Sequence, residues 1–111
     1  MALTETHIQL AGELLELEDS LRNLRLWTSQ APTAEALASV EPFACDTMAF
    51  TEWLQYLFIP RLHSLVEHGA RLPEKCAVAP MAEEYFKSAP VDAATVLVIL
   101  GRIDRLITDS T

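Results

Sequence analysis

The sequence predicts an all-α protein: an up-and-down bundle of four main helices with one additional short helical turn. Three observations predict it. Apolar residues recur at three- and four-residue intervals over three long stretches, the spacing of one helix face. Prolines and a glycine punctuate the chain between those stretches, where helices stop. No stretch combines clean apolar–polar alternation with hairpin turn signals, so strands are not expected. The β-branched run V-L-V-I-L at 96–100 sits in a helix-period frame.

The first helix is expected over 4–27. Leu3, His7, Leu10, Leu14, Leu17, Leu21 and Leu24 alternate steps of four and three, which lays them along one seam. Ile8, Ala11 and Leu15 are expected to widen that seam into a bundle face. A core stripe and a homodimeric coiled coil both suit it. Thr4 or Thr6 supplies a cap, Glu18 and Arg22 stand one turn apart, and Trp27 followed by Pro32 ends the helix. A short turn over 33–39 has Thr33 as its cap.

Asp46 and Thr47 signal the next start, with Asp46 read as an N-cap. The second helix then runs over 48–68, with Phe50, Trp53, Leu54, Leu57, Phe58, Leu62, Leu65 and Val66 on one broad face. Pro60 lacks an N–H and crowds the carbonyl of Tyr56, so a kink or local break is expected there. Gly69 supplies the left-handed residue that stops the helix. Pro80 opens a third helix over 80–88, with Glu83 and Glu84 favourable near its N-terminus. The last helix covers 91–108, with Val96, Leu97, Leu100, Ile103, Leu106 and Ile107 inward and Asp92, Arg102, Asp104 and Arg105 outward.

The chain has 111 residues, half of them hydrophobic and only three of them glycine. One domain over 1–111 is expected, long enough to bury a core without staples. No apolar run approaches the roughly 18 residues of a membrane helix. The polar start M-A-L-T-E-T-H does not read as a signal peptide, so the cytoplasm is the expected compartment, with Cys45 and Cys76 reduced. Sixteen acidic residues against eight basic give a net charge of −8. That sign opposes direct nucleic-acid binding by a whole face and suits a basic protein partner. A local patch drawn from Arg22, Arg25, Arg61, Arg71 and Lys75 stays open.

The chemistry-bearing side chains point to no catalytic constellation, so an enzyme is not expected. His63 and Glu67 share a helix face beside His68, but two ligands one turn apart are not a metal site, and no metal or other cofactor is expected. Asp46 next to Cys45 discourages a thiolate, and Lys75 gives Cys76 a slightly better setting. The three glycines are isolated, which excludes a phosphate-cradling loop. Arg61 stands out, because it follows Pro60 inside an apolar neighbourhood. Two readings are open: a structural tie to Asp46 or Glu83, or an exposed binding group. Trp53, Tyr56 and Tyr85 carry polar tips on apolar bodies and serve either the core or an interface.

The ordered motifs P-F-x-x-D-T-M, E-W-L-Q, I-P-R, L-P and A-V-A-P with a glutamate three residues on fall on Pro42 to Met48, Glu52 to Gln55, Ile59 to Arg61, Leu72–Pro73 and Ala77 to Pro80 with Glu83. This pattern, from about Trp27 to Glu84, resembles the YqcC-like family of small proteobacterial proteins. Met81 stands where that family carries an aromatic after the second proline. The resemblance implies a compact helical bundle. The family's genes lie beside one for a tRNA pseudouridine synthase of the C type, which implies an accessory role in tRNA modification.

The expected function is a non-enzymatic interaction module whose partner is that synthase or a second copy of the chain. The alternative is a small-molecule or RNA-binding protein that uses a cleft near Pro60 and Arg61. The residues expected to matter are Asp46, Glu52, Trp53, Tyr56, Pro60, Arg61, Pro80 and Glu83.

Overall fold

The computed structural model describes residues 4–109. Every regular element among them is helical: α1 (Glu5–Asn23), α2 (Ala34–Leu37), a 3₁₀ turn (Pro42–Ala44), α3 (Phe50–Trp53), a π turn (Leu54–Phe58), α4 (Ile59–Glu67), α5 (Ala79–Phe86) and α6 (Ala94–Thr108). The expected all-α bundle is present. α3, the π turn and α4 form one continuous helix, which together with α1, α5 and α6 makes up the four main members.

Ties between element ends set the directions. At the start of α1, Thr4 caps the helix through its hydroxyl, which accepts from the His7 backbone N–H. The His7 ring is buried, with Nε2 2.7 Å from the Ala70 carbonyl oxygen beyond α4 and Nδ1 2.7 Å from the Thr4 hydroxyl. A carbonyl only accepts, so Nε2 carries the proton and Nδ1 receives the Thr4 hydroxyl hydrogen. At the other end, Thr28 beyond α1 meets Gln55 in the π turn. α1 therefore runs antiparallel to the long helix. Arg102 of α6 reaches Glu13 and Glu16 of α1 at 3.0 and 2.7 Å, and Thr108 meets Cys76 just before α5. Leu10, Leu17 and Leu21 of α1, Leu54 of the π turn, and Val96, Leu100, Ile103 and Ile107 of α6 form the fully buried centre.

α1 ends at Asn23, four residues before the expected end at Trp27. Arg25 adopts a left-handed backbone (φ 61°) and its N–H reaches the Arg22 carbonyl, while Leu26 N–H reaches Leu21. These two bonds close a Schellman cap with arginine where glycine is usual. The freed Trp27 ring lies 4.7 Å below the Arg22 guanidinium, which also pairs with Glu18. A side chain in this backbone region costs about 1 kcal/mol or more, and the Arg25 side chain makes no hydrogen bond or ion pair among the described residues to offset it. Arg25→Gly is expected to raise the urea midpoint, by about 0.5–1 kcal/mol of stability after the extra unfolded-state entropy of glycine. A lowered midpoint would contradict this. Gly69 (φ 60°) closes the same motif after α4, as expected.

Of the residues expected to widen the α1 stripe, Ala11 packs against the core, but Ile8 and Leu15 do not. Ile8 and Leu15 are 62% and 69% exposed, because α4 and α6 flank only the narrow seam and leave the next row open. The interruption expected at Pro60 takes the form of the π turn before it. Ile59 N–H bonds back five residues to the Leu54 carbonyl, and Pro60 falls in the first turn of α4, where its missing N–H matters least. The spacing explains the turn further. Phe50, Leu54, Phe58, Leu62 and Val66 are all buried and recur every four residues. In an unbroken α-helix each four-residue step drifts by about 40°, so this row would fan over about 160°. One extra residue in a π turn returns about 100° of that and keeps the row on the core.

Candidate functional site

Consecutive residues of the π turn face the same strand of loop. The Gln55 amide donates to the Thr28 carbonyl at 2.7 Å and accepts from the Thr28 N–H at 2.8 Å. The Tyr56 hydroxyl donates to the same carbonyl at 3.0 Å and lies 2.8 Å from the Thr28 hydroxyl. Tyr56, expected as a candidate interaction aromatic, is thus occupied in holding the loop after α1. Gln55 is 6% exposed, and both halves of its amide are satisfied.

On the other side of the same helix, a cleft of about 530 Å³ opens between α2, the 3₁₀ turn and the α3–α4 helix. Leu37, Phe43, Trp53, Leu57 and Phe58 form its apolar walls, and Glu41 and Arg61 its charged edges. The Phe43 ring stands edge-on to Trp53 at 4.8 Å, and Trp53 stacks on Phe58 at 5.2 Å. Phe43 also borders a smaller hollow of about 140 Å³ lined by Met48, Met81 and Tyr85. It therefore forms the partition between the two. Its backbone is left-handed (φ 58°), as is that of Ala44 (φ 49°). Two successive non-glycine residues in that region store about 1–2 kcal/mol each. The turn is held by Ala44 N–H to Glu41, Thr47 N–H to Ala44, and the Thr47 hydroxyl to Ala36.

The structure separates the expected site residues. Arg61 is exposed, lines the cleft, and has no ion pair or hydrogen bond among the described residues. The expected tie to Asp46 or Glu83 is absent, and the exposed alternative is the one observed. Asp46 does not cap the second helix, which starts later, at Phe50; it accepts the Ser39 hydroxyl instead. Glu52 takes the capping role, because its carboxylate accepts the Ala49 N–H at 3.0 Å. Ala49 has no side-chain acceptor, so only this half of a capping box exists. Trp53 is half-buried in the ring cluster. Pro60, Pro80 and Glu83 are exposed, Pro80 in the first turn of α5. The cleft residues Leu37, Ser39 and Glu41 were not legible as site residues, since a wall shared by three elements leaves no local period.

A larger groove of about 600 Å³ lies between α1 and α6. Its Arg102 is already forked onto Glu13 and bonded to Glu16, so that cation is neutralised where the one at the cleft is not. His63 Nδ1 and Glu67 stand 4.0 Å apart on the exposed face of α4, and His68 Nδ1 turns to the Ser64 carbonyl. Among the described residues no three metal-type side chains converge.

Cys76 corrects the expectation of a slightly activated thiol. Burial, then the hydrogen bond and negative charge of Asp104, push it up to about 12 from 9.0. Asp104 itself bridges elements: Oδ1 accepts the Val78 N–H at 2.9 Å and Oδ2 the Ala79 N–H at 2.8 Å. A carboxylate from α6 thereby caps α5, whose own sequence A-V-A-P offers none.

The model of the family DUF446, described as "tRNA pseudouridine synthase C", matches residues 9–106. The YqcC protein of Escherichia coli is 36% identical over 104 residues, 94% of this chain and 95% of that one. The chain belongs to the YqcC-like family. The solution structure of the E. coli YqcC protein superposes with a TM-score of 0.85 at 34% identity, covering 97% of this chain and 92% of that one. An uncharacterised protein of Haemophilus influenzae is 46% identical over 79 residues, 71% of this chain and 74% of its own. A tRNA pseudouridine synthase C of Pectobacterium carotovorum is 42% identical over 65 residues, 59% of this chain but 17% of that protein. Among the described residues no helix of this YqcC-like chain is long and apolar enough to cross a membrane.

Proposed function

We propose that this chain is a non-enzymatic binding module, cytoplasmic and accessory to a C-type tRNA pseudouridine synthase. The observation that carries the reading is the Pectobacterium relative. There, a stretch similar to this chain makes up 17% of a longer protein that bears the synthase's name. Two units in one polypeptide meet at high effective concentration. Where they are separate chains, the same pairing needs an interface of its own. The test is light scattering after size-exclusion chromatography of this chain mixed with the synthase of the same genome at micromolar concentration. Co-elution as a stoichiometric complex is expected. Independent migration of the two proteins refutes the reading, and a mass of two copies without synthase points to a homodimer instead.

A second reading has its own support. Arg61 stands unpaired at the edge of an apolar cleft of about 530 Å³, a size that suits a small ligand. A small molecule or an RNA end bound there would use Arg61 as its anion contact, and binding would be lost in Arg61→Ala with the fold intact by circular dichroism.

A further inference from the structure

We infer that the cleft beside Arg61 seats a protein segment of the partner that puts one bulky apolar side chain against the wall formed by Leu37, Phe43, Trp53 and Leu57 and a carboxylate against Arg61. Naming that partner as the synthase rests on the reading above; the surface and the chemistry of its occupant rest on the geometry.

Three features define the occupant. The walls at Leu37, Phe43, Trp53 and Leu57 are apolar, and the volume of about 530 Å³ exceeds a single side chain. An aromatic or long aliphatic group with its flanking backbone fits such a space. Next, any segment covering the cleft takes Arg61 out of water. A buried cation without a partner is strongly unfavourable, and Glu41, the one carboxylate lining the cleft, makes no ion pair with Arg61. The covering segment must therefore bring the negative charge. Finally, Val40 stands in the chain between the lining residues Ser39 and Glu41 and is itself 96% exposed. It offers an exposed apolar side chain beside the cleft for a segment longer than one residue.

The charges also argue against RNA. Arg61 is the cleft's one cationic lining residue among those described, Glu41 faces the same space, and the chain carries −8 overall. A strand would bring one phosphate per nucleotide to a site with one cation.

The test is calorimetric titration of the synthase with the full chain and with variants at exposed positions, each checked for folding by circular dichroism. Arg61→Glu is expected to weaken binding tenfold or more. Val40→Asp is expected to weaken it several-fold and Arg61→Lys only slightly. Val98→Asp, on the exposed side of α6, is expected to change nothing. Wild-type binding that survives Arg61→Glu and Val40→Asp unaltered overturns the cleft as the interface and leaves the accessory role standing. No binding by the wild type removes the accessory role, and this inference with it. Arg61-dependent binding of tRNA alone, without synthase, overturns the protein occupant in favour of RNA.

Discussion

Gln55→Ala is expected to lower stability by about 2–4 kcal/mol, the largest loss expected from a single polar side chain here. The substitution orphans the Thr28 N–H in a part-buried site and removes one of the two side-chain donors on its carbonyl. An unpaired buried backbone group costs about 1–3 kcal/mol, and each lost hydrogen bond about 1 kcal/mol more. Tyr56 still donates to the carbonyl, which sets the upper limit. Thermal unfolding is the measurement. About 4–8 °C per kcal/mol is expected for a chain of this size, hence a drop of about 10 °C or more, and a drop of only a few degrees would contradict the clamp. Gln55→Glu adds a check with a sign. The carboxylate still accepts from the Thr28 N–H but opposes its carbonyl, so the folded state favours the protonated acid. The deficit relative to wild type should therefore shrink as pH falls through the raised acid midpoint and grow as pH rises.

Asp104→Ala is expected to cost about 2–3 kcal/mol. It removes two charge-assisted bonds from the first turn of α5, and loss of a cap costs up to about 2 kcal/mol before the buried Val78 N–H is counted. Asp104→Asn should cost less, because its amide oxygen still accepts from one of the two groups. The same variants should move Cys76. With the hydrogen bond and the charge gone, burial alone holds the thiol up, and its titration midpoint should fall from about 12 toward 9.0. The pH profile of its alkylation reads this directly, with exposed Cys45 as the internal reference. An unshifted profile would mean that Asp104 does not act on the thiol. In the wild type the raised thiol also works on stability. The folded state holds its proton above the ordinary cysteine value, so this contribution is intact below about pH 9 and is lost as pH rises toward 12.

What could be read in the sequence follows the range of each interaction. The seam His7–Leu10–Leu14–Leu17–Leu21, the Thr4 and Thr33 caps, the Glu18–Arg22 pair and the Gly69 stop all depend on residues within one or two turns. The structure places each of them as expected. The failures involve partners far along the chain. Nothing near α5 announces that its cap comes from Asp104, 25 residues on. Nothing near Gln55 announces Thr28. Ile8 and Leu15 looked inward because periodicity gives a helix its apolar side but not the number of neighbours that cover it. At the cleft, Arg61 was legible as unusual and Trp53 as amphipathic, while Leu37, Ser39 and Glu41 come from other parts of the chain. The π turn had a legible signal in the strict four-residue repeat from Phe50 to Val66, which no α-helix keeps on one side over that length.

That repeat makes the phase of the α3–α4 helix depend on how the π turn accommodates its extra residue. Trp53 and Arg61 are eight residues apart, about 80° around an ideal α-helix. With the extra residue absorbed in the π turn they come to within about 20° of one line, and so border the same cleft. Shortening the segment 54–58 by one residue would let the helix close into regular α form, a locally favourable change. It would leave Arg61 in place, because seven residues of regular α-helix again bring it within about 20° of the line through Trp53; closing the π turn with every residue kept is what would swing Arg61 and everything after it by about a quarter turn. The apolar row and the charged edge of the cleft are thus phased together by the one residue that the π turn absorbs, and straightening the turn without losing that residue would displace both at once.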